Sequence, residues 1–225
     1  MKTHFDYLEQ LLALPDTAFA APRGKSIAMV YSGFDRLNHE FAAHDCQNDY
    51  RLYLITDTEA GRVLDLLKTV GGFQNLTDDQ VKEIWDPASR RFAENAEGDV
   101  QTNVIDARTD WVFRDVELPA LLANESVTSI NGIPVDQLRI VNDDKTLDLD
   151  WAYEKVCEAE LARDRACVMT RDGAEDQTRV EWKTTALHLQ QYREIEHQQD
   201  RQRQTEEEYY RLRSQEQEQE RGLIR

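Results

Sequence analysis

The fold of this chain is decided by two short apolar stretches, SIAMVY at positions 26–31 and RLYLIT at positions 51–56. Both stretches are rich in aromatic and β-branched residues, and neither alternates polar with apolar side chains. We therefore predict a strand at each stretch, and the second has the short, apolar composition that is typical of a central strand buried on both faces of a sheet.

Helical patterns flank these two strands. Apolar residues recur at helical spacing before Pro15, and again from about 34 to 44. Asp57 is predicted to cap a third helix, which ends at the glycine pair 71–72. Thr77 begins a capping box for a fourth helix, and Pro87 is expected to break it. This alternation of helices and strands predicts an α/β layer in the N-terminal part.

Strand and turn signals dominate from residue 100 onward. Residues 100–107 and 111–116 are predicted strands, and residues 126–135 are predicted to form a hairpin around Asn131-Gly132. A further amphipathic helix is predicted around residues 149–157. Residues 167–170 and 179–184 are predicted to pair as a second hairpin.

The C-terminal segment is polar and free of helix breakers, because residues 186–221 contain neither Pro nor Gly. Its few apolar side chains predict a long helical arm rather than a core element. We expect Tyr209, Tyr210 and Leu212 to form a partner-binding contact on this arm, with another protein or a second copy of the chain.

We predict an α+β fold with a mixed sheet region, packed helices and a long C-terminal polar helix. Three parts are expected: an α/β-like part at 1–98, an acidic strand-rich part at 99–184 and an extended polar helix at 185–225.

Charge is the strongest compositional signal. The chain has 27 Lys and Arg against 44 Asp and Glu, for a formal net charge of −17. Such a chain repels phosphate backbones, which argues against direct nucleic-acid binding. No apolar run is long enough to span a bilayer, and the start of the chain lacks the pattern of a signal peptide. With only three cysteines as well, we expect a cytoplasmic protein that does not bind membranes.

One pattern points to catalysis. Asp172 followed by Glu181-Trp182-Lys183 resembles the PD-(D/E)xK motif of metal-dependent nucleases. This resemblance covers about 25 residues, and it implies that Asp172 and Glu181 hold a Mg²⁺ ion while Lys183 stabilises the developing negative charge.

Other motifs are incomplete. Residues 39–46 contain two histidines with a zincin-like Glu, but histidines five positions apart do not share a helix face. The chain has no P-loop, no dinucleotide-binding glycine motif and no nucleophile elbow. By elimination, the sequence favours a non-catalytic acidic protein-binding factor, such as an inhibitor, an immunity-type protein or an accessory subunit, with no cofactor. The metal-dependent nuclease is the alternative.

Overall fold

A computed structural model describes residues 4–31, 36–69, 76–105, 112–142, 145–170 and 179–187. The chain divides into two compact units, Met1–Val180 and Glu181–Arg225, and the first unit contains the sheet. The helices are α1 (His4–Leu12), α2 (Arg36–Asn48), α3 (Glu59–Thr69), α4 (Asp78–Glu94), α5 (Leu118–Ala123), α6 (Val135–Leu138) and α7 (Leu149–Thr170). The strands are β1 (Ile27–Tyr31), β2 (Leu52–Tyr53), β3 (Gly98–Asn103), β4 (Val127–Ile130) and β5 (Ile133–Pro134).

The five strands form one sheet in the order β2-β1-β3-β4-β5. Strand β1 is parallel to both β2 and β3, and β4 is parallel to β3. Only the pair β4 and β5, among the described strands, is antiparallel. The sheet is therefore mixed and mostly parallel, which is an α/β arrangement.

Strand β1 is buried because helices cover the sheet. Met29 packs with Ala42 of α2 and with Leu52 and Leu54 in one apolar cluster. The predicted strand at 51–56 pairs over Leu52–Tyr53 alone, because residues 55–57 turn into a short 3₁₀ helix.

Helix α3 begins at a different cap from the one predicted. The Thr58 hydroxyl accepts the Gly61 N–H at 3.1 Å, so Thr58 caps the helix. The Asp57 carboxylate instead accepts the Leu54 N–H at 2.9 Å, within the preceding 3₁₀ turn. The prediction that Asp57 caps α3 is therefore wrong by one residue.

Helix α4 starts as predicted and continues further than predicted. Thr77 accepts the Gln80 N–H and Gln80 accepts the Thr77 N–H, which completes the capping box. The helix then passes through Pro87 without ending. Ile84 and Phe92 are buried on either side of the proline, and their burial outweighs the one hydrogen bond that the proline removes.

Residues 112–117 are helical, so the strand predicted at 111–116 is wrong over these residues. Phe113–Glu117 form a π-helical segment that leads directly into α5. The hairpin that follows is confirmed. Asn131 and Gly132 both have positive φ angles, 49° and 77°, as a type I′ turn requires.

The second predicted hairpin is wrong, because residues 167–170 belong to α7 and residues 179–187 are helical. The helix predicted around 149–157 is confirmed and runs on to Thr170. The long polar helix predicted from residue 185 falls mostly outside the described residues, and the three-part division of the chain stays a prediction.

The mixed sheet with packed helices is confirmed. Among the described residues, no helix is both long enough and apolar enough to cross a bilayer.

Candidate functional site

The carboxyl ends of β1 and β3 are the natural place for a site in this sheet. Strand β2, which follows β1 in the sequence, lies on one side of β1. Strand β3 comes next in the sequence and lies on the opposite side of β1. Neighbouring parallel strands whose connections diverge in this way leave a crevice at their carboxyl ends, where α/β proteins bind ligands. In this protein the charged side chains of α2, α7 and residue 179 meet the end of β3 at that edge.

Asp45 and Arg179 form the central pair. Arg179 Nη1 and Nη2 donate to the two carboxylate oxygens of Asp45 at 2.7 and 2.8 Å. Burial by itself raises the pKa of the Asp45 carboxyl, but the hydrogen bond and charge of Arg179 and the charge of Arg163 outweigh it. The pKa of Asp45 is therefore below its usual value, and the carboxylate is ionised at neutral pH.

Asp164, on α7, binds both Arg163 and Arg179. It accepts Arg179 Nε at 3.0 Å on one oxygen, and Arg163 Nε and Nη2 at 3.3 Å on the other. Burial lowers the pKa of Arg179, yet Asp45 and Asp164 together raise it above its usual value. Each carboxylate of this cluster therefore contacts at least one arginine.

Asn103, the last residue of β3, lies inside this network. Its amide Nδ2 donates to Asp45 Oδ2 at 3.1 Å, and its Oδ1 accepts Arg179 Nη2 at 2.8 Å. The side chain is fully buried, and its amide also contacts the sulfur of Met29 on β1 at 3.3 Å. Asn103 therefore connects the strand ends to the charged pair.

A second layer holds the end of β3. Glu160 Oε2 accepts the Thr102 hydroxyl at 2.9 Å and the Val104 N–H at 2.7 Å. Asn131, from the β4–β5 turn, accepts the Thr102 N–H at 2.9 Å and donates to the Thr102 hydroxyl at 2.8 Å. Arg163 Nη2 donates to the Thr102 carbonyl at 3.0 Å.

Two members of the network reach solvent. The side chains of Asp45 and Arg163 are each 20% exposed and lie 3.8 Å apart, whereas Arg179 and Asp164 are 8% and 4% exposed. The exposed edge thus presents one anion and one cation to a ligand. Phe41 lies under the Arg179 guanidinium, 4.8 Å from its carbon to the ring centre, and fixes it from the other side.

A shallow groove of about 420 Å³ lies along the outer face of α2. It is lined by His39, Glu40, Ala43, His44 and Gln47. His44 Nδ1 lies 3.9 Å from Asp45 Oδ1, so one end of the groove adjoins the charged network.

The described part of the chain contains no group of three or more His, Cys, Asp and Glu side chains that could hold a metal ion. The carboxylates of the network are bound by arginines instead.

Of the predicted nuclease residues, the structure describes Glu181 and Lys183. Glu181 and Lys183 lie two positions apart in the helical residues 179–187, Glu181 exposed and Lys183 buried. Residues two apart on a helix point about 200° from each other, so the two side chains do not share a face as the predicted strand would have allowed. Asp172 lies outside the described residues, and so do Tyr209, Tyr210 and Leu212, whose partner-binding role stays a prediction.

The sequence analysis missed the residues of the charged network: Asp45, Asn103, Thr102, Asn131, Glu160, Arg163, Asp164 and Arg179. A usable signal was the i, i+4 pair Glu160 and Asp164 beside the apolar residues of a long helix. Asn103 ending a buried strand was another. Nothing local in the sequence links Asp45 to Arg179.

No protein-family model and no curated protein matches this chain. The solved structures that resemble it include two of cyclases. A crystal structure of Aplysia cyclase complexed with substrate NGD and product cGDPR shares 26% identity over 48% of this chain and 48% of its own length, with a TM-score of 0.35. A crystal structure of ADP ribosyl cyclase complexed with N1-cIDPR shares 20% identity over 68% of this chain and 74% of its own, with a TM-score of 0.38. The chain thus spans about half the length of the Aplysia cyclase.

This comparison overturns the functional prediction. Both structures are of cyclases, and this contradicts the predicted non-catalytic inhibitor, immunity-type or accessory factor together with its nuclease alternative. With TM-scores below 0.5, the likeness is too small for the substrates of these enzymes to be carried over to this chain.

Proposed function

We propose that this chain is an enzyme whose active site is the carboxyl edge of β1 and β3, and that it acts on a small ligand bearing hydroxyl groups. The observation that carries the proposal is Asp45. This carboxylate is ionised, partly open to solvent and held by Arg179 and Asn103 at the switch point of the sheet.

The energetics favour a functional origin for the network. Burying charged groups costs several kcal/mol per ion, and a well-packed apolar cluster is often as stable as a buried ion pair. Here three carboxylates and two guanidiniums are gathered at one strand edge. Clusters of charged groups that occupy a position where apolar packing would be as stable are typical of active sites.

The exposed pair indicates the ligand class. Asp45 accepts hydrogen bonds and Arg163 donates them, 3.8 Å apart. Adjacent hydroxyl groups of a sugar both donate and accept hydrogen bonds, so they match an acceptor and a donor at this separation. We therefore assign a sugar or nucleoside group to this edge.

Asp45 has an electrostatic role in this proposal. Its pKa lies below the usual value, so it does not carry a proton to donate at neutral pH. A fixed carboxylate instead stabilises positive charge that develops on a bound group during reaction. Arg179 and Asn103 keep that carboxylate in place before the ligand arrives.

A reducing compartment, and hence the cytoplasm, suits the chain. Cys46 is a free thiol on α2, near the site in sequence. Burial, with a smaller contribution from the Asp57 charge, raises the pKa of Cys46 to about 12, so it stays a thiol at neutral pH.

The test is a ligand titration followed by backbone amide resonances in ¹⁵N NMR. The probes are ribose 5-phosphate, adenosine and β-NAD⁺, which present hydroxyl groups on carriers of different size and charge. We expect at least one probe to shift the resonances of residues 31, 45 and 103, and to be chemically converted on incubation, as followed by mass spectrometry.

The Asp45→Asn variant keeps the size of the side chain and removes its charge. We expect it to weaken binding by about 10- to 100-fold, as the loss of a charge-assisted hydrogen bond predicts. Asp49→Asn is the matched control, because Asp49 lies beyond the same helix and pairs only with the exposed Arg51 in the described contacts. Binding that is unchanged in Asp45→Asn, or shifts that avoid this edge for every probe, contradicts the proposal.

A further inference from the structure

The backbone on either side of Asn103 is held by side chains from outside the sheet. Thr102 has its N–H bound by Asn131 and its carbonyl bound by Arg163. On the other side, Val104 has its carbonyl bound by the Tyr153 hydroxyl at 3.1 Å. These three hydrogen bonds restrict the backbone at the end of β3, where a strand would otherwise be free to fray.

One oxygen atom connects both sides. Glu160 Oε2 accepts the Thr102 hydroxyl and the Val104 N–H, and Glu160 is fully buried. A single acceptor atom thus binds donors from the two residues on either side of Asn103. We call these paired hydrogen bonds the bracket. They fix the backbone dihedrals of Asn103 and with them the direction of its side chain.

We propose that Glu160 is a positioning residue, which orients the Asn103 amide toward Asp45 and Arg179 through its paired hydrogen bonds to Thr102 and Val104. The consequence for ligand binding rests on the proposed function of this edge, but the orientation of Asn103 does not. Asn103 in turn accepts from Arg179 and donates to Asp45, so its orientation decides the geometry of the charged pair.

Positioning and charge make different demands on residue 160. Glu160 also lies close enough to Arg179 for its charge to raise the pKa of that guanidinium. A role through charge would require an ionised carboxylate. A role through positioning requires only one oxygen that accepts two hydrogen bonds, and the amide oxygen of glutamine has the two lone pairs needed.

The experiment compares Glu160→Gln with Glu160→Ala, using the side-chain amide resonances of Asn103 in the protein without ligand. We expect Glu160→Gln to leave these resonances near their wild-type positions. Glu160→Ala should move them well beyond the line width, because the bracket is lost. Glu158→Gln, on the exposed face of the same helix beside Lys155, is the matched control and should move nothing.

The second readout is the dissociation constant of whichever probe binds. We expect Glu160→Gln to stay within about 3-fold of wild type, and Glu160→Ala to weaken binding by 10-fold or more. If no probe binds even wild type, the proposed function fails while the Asn103 resonances still test the positioning role.

Thr102→Val provides a variant that preserves shape should Glu160→Ala not fold. It removes the hydroxyl that donates to Glu160 and accepts from Asn131, and it should also move the Asn103 amide resonances. The proposal is overturned if Glu160→Gln behaves like Glu160→Ala, which would assign the role to charge. It is equally overturned if the Asn103 resonances stay in place in both Glu160→Ala and Thr102→Val.

Discussion

Arg179 donates to both carboxylate oxygens of Asp45 although the two residues lie 134 positions apart in the sequence. This contact links α2, near the start of the sheet, to the residues that follow α7. Its geometry is bidentate and largely shielded from water, which makes it stronger and more specific than an exposed ion pair. The charged network is consequently a part of the tertiary structure as well as the proposed site.

Arg179→Ala should lower the free energy of unfolding by about 3–5 kcal/mol, because it leaves the buried Asp164 and the partly buried Asp45 without their main partner. Urea denaturation followed by circular dichroism measures the change. The matched control is Arg51→Ala, which removes an exposed pair with Asp49 and should cost less than about 1 kcal/mol. Equal losses in the two variants would show that the network contributes no more than a surface pair.

Glu117 is the most unusual ionisable group outside this network. It lies in the π-helical segment, it is 5% exposed, and its Oε2 has no hydrogen-bond partner among the described residues. Burial, with a smaller contribution from the Asp86 charge, raises the pKa of Glu117 to about 8 in the fold, against a hydrogen bond from Ser89 that lowers it. The folded protein therefore keeps this carboxyl protonated at neutral pH.

The raised pKa of Glu117 makes the free energy of unfolding depend on pH. The fold is at its most stable with respect to Glu117 below the ordinary pKa of 4.5, where the carboxyl is protonated in both states. Stability is then lost as the pH rises from about 4.5 to about 8, because only the unfolded chain ionises freely. The total effect amounts to several kcal/mol, since each pKa unit is worth about 1.4 kcal/mol.

Glu117→Gln should therefore remove most of the decline in the free energy of unfolding with rising pH. The stability of the variant relative to wild type should increase between pH 5 and 8. Urea unfolding at several pH values measures it. The charged groups around this site are Asp86, Lys82 and Arg90 on α4, and Arg114 and Asp115 just before Glu117 in the sequence. Exposed Glu125→Gln is the control for a general change in net charge. A difference between Glu117→Gln and wild type that does not vary with pH would contradict the assignment.

Much of the fold could be predicted because its signals are local. The SIAMVY stretch forms β1, whose three central residues are buried, and Asn131-Gly132 adopts the positive φ angles that its turn needs. Predictions failed where tertiary packing overrides local preference. Pro87 is tolerated inside α4 because the residues around it are buried. Residues 112–117 have a strand-like composition, but they pack as a π-helical segment.

Most of the site could not be predicted, for a different reason. It is assembled from α2, the end of β3, the β4–β5 turn, α7 and residue 179, and no local motif links these elements to one another. Only the order of the strands brings them together, and strand order depends on long-range contacts. The residues singled out for a nuclease, by contrast, matched a short local pattern that the helical residues 179–187 do not preserve.

Gly61→Ala tests the close packing at the start of α3. A Cβ at this position would overlap the carbonyl oxygen of Ile55 and lie 2.6 Å from the carbonyl carbon of Thr56. Because those atoms belong to the backbone, they cannot move aside as a side chain would. We expect a loss of about 2–3 kcal/mol even though alanine favours the helix, measured by urea unfolding. Glu59→Ala, exposed in the same helical turn, should change the stability by less than about 0.5 kcal/mol.

Asn124 binds the end of α4 from another part of the chain. Its Nδ2 lies 2.9–3.0 Å from the carbonyl oxygens of Ala93, Glu94 and Ala96, and its Oδ1 accepts the Ser126 N–H at 2.9 Å. The last carbonyl groups of a helix have no N–H donor within the helix. The Asn124 amide supplies that donor. Asn124→Ala should cost about 1–3 kcal/mol, because polar backbone groups are then left without a partner.

Asn124→Asp separates the donor from the acceptor role. An aspartate keeps the oxygen that accepts from Ser126, loses the NH₂ donors, and brings a negative charge to the negative end of the helix dipole. We expect it to destabilise the protein more than Asn124→Ala at pH 7, by urea unfolding. Asn48→Ala, an exposed asparagine that contacts His44 within α2, is the control and should have little effect. If Asn124→Asp proves as stable as wild type, the amide donors do not hold the end of α4.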